Sequence, residues 1–263
     1  MLVAGVDVGA ATAKAVILSN GGIVGQAIVP TGDRVVTAAE NATRLALQQA
    51  GLWKEGVDFK ELFDFVISTG YGRHSVPFAM KAVTEIICHA KGAHFLLPTA
   101  RTIIDIGGQD SKAISLDEKG NVSNFVMNDK CAAGTGRFLE VMAHVLNVPI
   151  EELGKIALTS NSPCQISSTC TIFAESEMVS LRAEGKPKED LIAGIVKAVA
   201  SRVAVMARGI GFRRDVVFTG GVAKNIGVKK ALEEEIQMNI IVPAEPQTMG
   251  ALGAALLAQA ELG

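Results

Sequence analysis

The chain has 263 residues, 49% of them hydrophobic and 20% charged, enough to bury one large core or two modest ones. A formal net charge of −2 leaves no basic footprint for a nucleic acid or an anionic membrane surface, so neither is expected as a partner. The first residues carry no basic region ahead of Asp7 and no apolar run approaches the roughly 20 residues of a membrane span, which leads to the expectation of a cytoplasmic protein.

In chain order, residues 2–8 read as an apolar strand that runs into Asp7-Val8-Gly9-Ala10-Ala11-Thr12-Ala13-Lys14. Residues 15–18 read as the return strand of a hairpin, Asn20-Gly21-Gly22 as a turn and residues 23–29 as a third strand. An amphipathic helix is expected over 35–50, closed by Gly51, and another over 76–90, stopping before Gly92. Strands at 104–106 and 122–127 flank a second hairpin, and helical spacing follows at 138–146 and 171–184. Pro187 opens a long helix with a stripe of Leu191, Ile192, Ile195, Val199, Val203 and Met206. A strand at 216–219 meets Gly220-Gly221, and helix 228–236, strand 240–242 and helix 249–262 complete the pattern.

One constant shift sets Asp7 on Asp105, Gly9 on Gly107, Lys14 on Lys112, Ala15 on Ala113 and Leu18 on Leu116. The following turn and third strand match as well, so the chain reads as two homologous α/β halves. The expected division is 1–97 for the first half, with the helix at 249–263 packing back on it, and 98–248 for the second.

An aspartate at the carboxyl end of a strand, followed by glycine, offers a carboxylate beside bare backbone N–H groups. The amides can cradle phosphate oxygens, and the carboxylate can hold hydrated Mg²⁺ or orient a water. A single Asp-x-Gly turn is usually only a hairpin. Duplicated copies point to a pair of clamps on one polyphosphate. No Gly-x-x-x-x-Gly-Lys-Ser/Thr occurs, and Gly134-Thr135-Gly136 lacks the third glycine of a dinucleotide fingerprint. The turn 219–225, with Gly220, Gly221 and Asn225, could lie against a purine or ribose; standing alone it would be a plain strand-to-helix turn.

Four cysteines with no Cys-x-x-Cys pair argue against a disulfide framework and give little spacing signal for zinc. Cys131, in Asn128-Asp129-Lys130-Cys131-Ala132-Ala133-Gly134-Thr135-Gly136-Arg137, and Cys170, in Ser167-Ser168-Thr169-Cys170, each precede a helical pattern. A helix N-terminus favours a thiolate. Cys88, beside Ile86 and Ile87, reads as a buried structural thiol. Cys164 leaves open a four-cysteine cluster within one chain.

The duplicated hairpins and the late Gly-Gly turn resemble the actin, hexokinase and heat-shock-chaperone ATPase fold, with ribonuclease-H-like halves and nucleotide in the interdomain cleft. Segments 104–112, 128–140, 167–177 and 219–225 resemble the activators (archerases) of 2-hydroxyacyl-CoA dehydratases and the ATPase subunits of benzoyl-CoA reductase, the BadF/BadG/BcrA/BcrD type, across nearly the whole chain. The resemblance implies an ATPase that drives electron transfer. It implies a homodimer with one 4Fe–4S cluster held by Cys131 and Cys170 of both chains, charged by ferredoxin or flavodoxin. The electron would pass to a 2-hydroxyacyl-CoA dehydratase or to a benzoyl-CoA reductase component. By motif position, Asp7, Gly9, Ala10, Ala11, Thr12 and Lys14 form the first ATP/ADP clamp, and Gly107 and Gly108 the second, with Asp105 or Gln109 placing the attacking water. Gly134, Thr135 and Gly136 join the nucleotide site, Gly220, Gly221 and Asn225 line its adenosine side, and Mg²⁺ sits by Asp7 and Asp105 through water. Neither cysteine adjoins a clamp in sequence, so coupling by domain closure is expected. The rival is a sugar kinase of the same fold, in which the cysteines have no work.

Overall fold

The computed structural model describes residues 1–167 and 170–263; Ser168 and Thr169, part of the Cys170 motif, lie outside the described residues. The chain forms two compact units. The first comprises Met1–Ala100, Leu116–Ser123 and Ala244–Gly263, the second Arg101–Ser115 and Asn124–Pro243.

In the first unit, strands β1 (Leu2–Val8), β2 (Thr12–Ser19) and β3 (Gly22–Pro30) are followed by helices α1 (Val35–Gln49) and α2 (Phe59–Leu62). Strands β4 (Phe65–Thr69) and β5 (Lys81–Ala82) and helix α3 (Glu85–Leu96) come next. The sheet order is β3-β2-β1-β4-β5, with β1 antiparallel to β2 and parallel to β4. Alternation sorts β1: Ala4, Val6 and Val8 face a cluster completed by Ala38, Ala42 and Ala46 of α1, whereas Val3 belongs to the opposite cluster.

The second unit repeats the plan with β6 (Thr102–Ile106), β7 (Ser111–Leu116) and β8 (Val122–Asn128). Helices α4 (Gly136–Leu146), α5 (Leu153–Ala157), α6 (Thr171–Ala183) and α7 (Lys188–Arg208) follow. Strand β9 (Val216–Thr219), helix α8 (Ile226–Ile236) and strand β10 (Ile240–Ile241) complete it. The order β10-β9-β6-β7-β8 mirrors the first sheet, with β6 in the place of β1 and β9 in that of β4. The leucine, isoleucine and valine stripe of α7 is buried against α4, α5, α6 and α8.

The last helix, α9 (Met249–Ala260), belongs to the first unit and covers the second face of its sheet. Glycines let it sit flush: a Cβ on Gly5 would collide with the carbonyl of Ala251, and one on Gly253 with that of Cys88. Gly92 lies inside α3 instead of ending it, and a Cβ there would collide with the carbonyl of Met249, so the glycine serves the close approach of α9. The expected helix over 76–90 therefore starts later, at Glu85. Pro77 and the short β5 occupy the stretch before it, and Thr84 is extended at the helix start. Among the described residues no helix is long and apolar enough to cross a membrane.

Candidate functional site

Both hairpin turns are built alike. Asp7 pairs with Lys14 across β1 and β2, and Asp105 with Lys112 across β6 and β7, in equivalent registers. The Gly9 N–H donates to the Thr12 carbonyl at 3.0 Å, and the Gly107 N–H to the Asp110 carbonyl at 2.9 Å, so each turn closes on the same bond. Thr31 adds a second tie in the first turn, its hydroxyl donating to the Gly9 carbonyl at 2.8 Å. Ala10 and Ala11 are exposed at one tip and Gln109 at the other.

The aspartates are buried but held differently. Lys14 Nζ lies 3.3 Å from Asp7 Oδ2. Lys112 Nζ lies 3.1 Å from Asp105 Oδ2 and also 2.9 Å from Asp110 Oδ1. The Thr219 hydroxyl donates to Asp105 Oδ1 at 2.8 Å. The Lys112 side chain is only 2% exposed, so the two carboxylates are what makes an ammonium tolerable there. Behind Asp7, a Cβ placed on Gly250 would lie 3.0 Å from Asp7 Oδ2 and 3.1 Å from His89 Nε2, which brings the carboxylate and the imidazole together over the start of α9.

Glycines follow both parallel strands. Gly70, after β4, has φ +84° and leaves room for Asp7 Oδ1 and the Val8 carbonyl. Gly220, after β9, has φ +86° and leaves room for the Ile106 carbonyl and Asp105 Oδ1. Only glycine meets both demands comfortably, a positive φ and contact with a neighbouring backbone. Gly221 opens a short 3-10 turn. Asn225 spends its side chain on capping α8, accepting from the Val228 N–H at 3.0 Å.

The cysteine loop begins where β8 ends. Asn128 Nδ2 donates to the carbonyls of Cys131 at 2.8 Å and Ala133 at 3.2 Å, and the Thr135 hydroxyl donates to the Ala132 carbonyl at 2.7 Å. Gly134 turns the chain with φ +87°, and Thr135 is the N-cap of α4, so the turn expected between Cys131 and the helix is present and the helix begins at Gly136, slightly ahead of the expected 138. The first amides of α4 are taken by the second hairpin turn: Gly136 N–H donates to the Gly107 carbonyl and Arg137 N–H to the Gly108 carbonyl, each at 2.8 Å. Gly134, Thr135 and Gly136 are buried. Cys170, by contrast, is itself the N-cap of α6, which packs against α4.

Cys131 and Cys170 are half-buried. Cys88 is fully buried, and loss of solvent pushes its thiol up to about 12. The Cys164 thiol is also pushed up, first by burial and then by the charge of Asp190. Among the described residues there is no group of three or more His, Cys, Asp or Glu able to hold a metal ion.

Sequence reasoning missed Thr219, Asp110 and Gly70. The dipeptide Thr-Gly closes both β4 and β9, a repeated signal that would have exposed β4 and Gly70 as the counterparts of β9 and Gly220.

The chain is 49% identical to the activator of lactoyl-CoA dehydratase from Anaerotignum propionicum, over 98% of this chain and 97% of that one. Among solved structures, the activator of 2-hydroxyisocaproyl-CoA dehydratase from Clostridium difficile with bound ADPNP is 46% identical with a TM-score of 0.91, over 99% of this chain and 95% of that one. The (R)-2-hydroxyglutaryl-CoA dehydratase component A of Acidaminococcus fermentans is 44% identical with a TM-score of 0.93, over 99% and 98%. The fold is actin/hexokinase-like, with two mixed sheets in two halves. The profile of the BadF/BadG/BcrA/BcrD ATPase family matches residues 4–258; the chain belongs to that family and is an ATPase.

Proposed function

We propose that this ATPase is an electron activator. It would bind ATP at its two hairpin turns and pass a low-potential electron to a 2-hydroxyacyl-CoA dehydratase, the class of partner named for its full-length relatives. Ferredoxin or flavodoxin would be the donor. The observation that carries this reading is the pair of hydrogen bonds from α4 to Gly107 and Gly108. A phosphate-binding turn and a cysteine loop share a backbone seam, so a change at the turn moves the segment that carries Cys131. This route is more direct than domain closure alone. The cysteines have no such use in a sugar kinase.

Cys131 and Cys170 are accessible thiols near the starts of two packed helices, and they fit an iron–sulfur cluster. Two donors per chain, with no larger donor group among the described residues, favour a 4Fe–4S cluster shared by a homodimer. When bound, such a cluster supplies one-electron redox chemistry. Asp7, Gly9, Ala10, Ala11, Thr12 and Lys14 would bind phosphate at the first turn, and Gly107 and Gly108 at the second. Asp105 or Gln109 would orient the water. Asp7 and Asp105 would hold Mg²⁺ through water, and the backbone at Gly220 and Gly221, beside Asn225, would meet the adenosine. A benzoyl-CoA reductase role is the second reading, favoured by 33% identity to a component of that enzyme from Thauera aromatica over 97% of this chain.

The test is iron content after anaerobic purification. About four irons per dimer are expected, lost in Cys131→Ala and Cys170→Ala and kept in Cys88→Ala and Cys164→Ala. Chelation of that iron should differ between nucleotide-free, ADP-bound and non-hydrolysable-ATP-bound protein. Four irons per monomer, or one chelation rate in all three states, would overturn the reading.

A further inference from the structure

We propose that Thr219 and Lys112 are positioning residues for ATP hydrolysis, and that the group they hold, Asp105, is the one that orients the attacking water. The proposal rests on the assignment of the second hairpin to the hydrolytic site. Asp105 ends β6 with 2% exposure. Its two oxygens are gripped from different directions, Oδ1 by the Thr219 hydroxyl at the end of β9 and Oδ2 by the ammonium of Lys112 on β7. Two donors on two different strands fix both the χ angles and the plane of a carboxylate. An ionised carboxylate offers about four acceptor sites, so a carboxylate held by two donors can still accept from a water. Asp110 accepts from the same ammonium at 2.9 Å, and so draws Lys112 back from a full claim on Asp105.

The first hairpin shows what the arrangement is for, because it keeps the lysine and a threonine at the equivalent place but lacks the second carboxylate and the threonine's bond to the aspartate. Position 12, equivalent to Asp110, is threonine. The Lys14 contact is longer, at 3.3 Å. The hydroxyl of Thr69, in the place of Thr219, makes no hydrogen bond to Asp7. One aspartate is locked and its twin is not. Gln109 sits exposed at its hairpin tip, where nothing comparable fixes its side chain.

In the reaction the water oxygen bonds to the γ-phosphorus while the bond from that phosphorus to the bridging oxygen breaks. ADP leaves; one hydrogen of the water stays on its oxygen and the other passes to another oxygen of the released phosphate, from which it exchanges with solvent. Asp105 accepts a hydrogen bond from that water, so its orientation enters the rate and not the affinity for ATP.

Steady-state ATPase of the full-length protein with Mg²⁺ tests this. Thr219→Val should lower kcat by about tenfold or more, with KM for ATP and the Kd for ADP within about twofold of wild type. Thr219→Ser should restore kcat to within about threefold, since it returns the hydroxyl. Thr69→Val, the same change at the mirror position, should leave kcat within about twofold. If Thr219→Val yields no folded protein, Thr219→Cys, close in volume with a weaker donor, reads the same split. Unchanged kcat in Thr219→Val, or a loss that appears only in KM, overturns the inference while leaving the site assignment standing. Full activity in Asp105→Asn would instead remove the assignment on which it rests.

Discussion

The turns at Asp7 and Asp105 share register, glycine placement and the closing backbone bond, and yet their carboxylates live differently. Asp105 is tied to a threonine and to a lysine itself shared with Asp110. Asp7 has one longer lysine contact and an imidazole close by. The scaffold was kept through the duplication while the polar fittings changed. A group that must present one fixed geometry gains from being locked. A group that holds a hydrated cation gains from some freedom to follow the ion's own geometry.

The largest test of that contrast exchanges each carboxylate for its amide. Asp105→Asn should cut ATPase turnover by about 10²-fold or more. Asp7→Asn should mainly raise the Mg²⁺ and nucleotide concentrations needed for half-maximal rate. Equal losses of kcat in both variants would erase the distinction. A smaller effect tests what the turns share. Gly70→Ala and Gly220→Ala each force a side chain into positive φ and against a neighbouring carbonyl, and each should lose roughly 1–3 kcal/mol in urea unfolding. A neutral result at either position would show that the turns are not structural equivalents.

The smallest effect probes the interior behind the first turn. Cys88 keeps its proton in the folded chain up to about 12, mostly because it is desolvated. The unfolded thiol ionises near its ordinary value of about 9, so the folded state binds the proton more tightly above that pH. Its contribution to stability is therefore fully present below about 9 and is lost progressively as pH rises towards about 12. Cys88→Ala should flatten that part of the stability-versus-pH curve, and native Cys88 should resist iodoacetamide at about pH 8, where a desolvated thiol stays protonated. Ready alkylation there would mean that the region is wet.

Much of this architecture was legible because its signals are local. Asp-x-Gly turns, alternating strands and the α7 stripe are written in neighbouring residues, and the repeat doubled each signal. The return of the last helix to the first half was expected, but side-chain contacts between distant segments were not legible. The Thr219–Asp105 bond spans 114 positions, and the glycine inside α3 at position 92 has its use only where α9 lies across it. The helix after Cys131 begins two residues earlier than its apolar spacing indicates, at Gly136, because Gly136 and Arg137 are held by hydrogen bonds to Gly107 and Gly108, about 30 positions away. Asn225 is a different case: asparagine is among the best N-caps, and a helix follows it directly, so its capping role was open to reading.

The placement of α9 also sets an order of events during synthesis. The second unit's two stretches both lie before residue 244, whereas the first joins Met1–Ala100 and Leu116–Ser123 to Ala244–Gly263. Val3, Val16, Leu18 and Ile67 form one apolar face whose cover is Met249, Ala251, Leu252 and Ala255. The strands that carry this face therefore wait, with it bare, until residues 249–258 have left the ribosome. For that interval the nascent protein is a client for whatever binds exposed hydrophobic strands, and the half that carries Asp7 is the last to close.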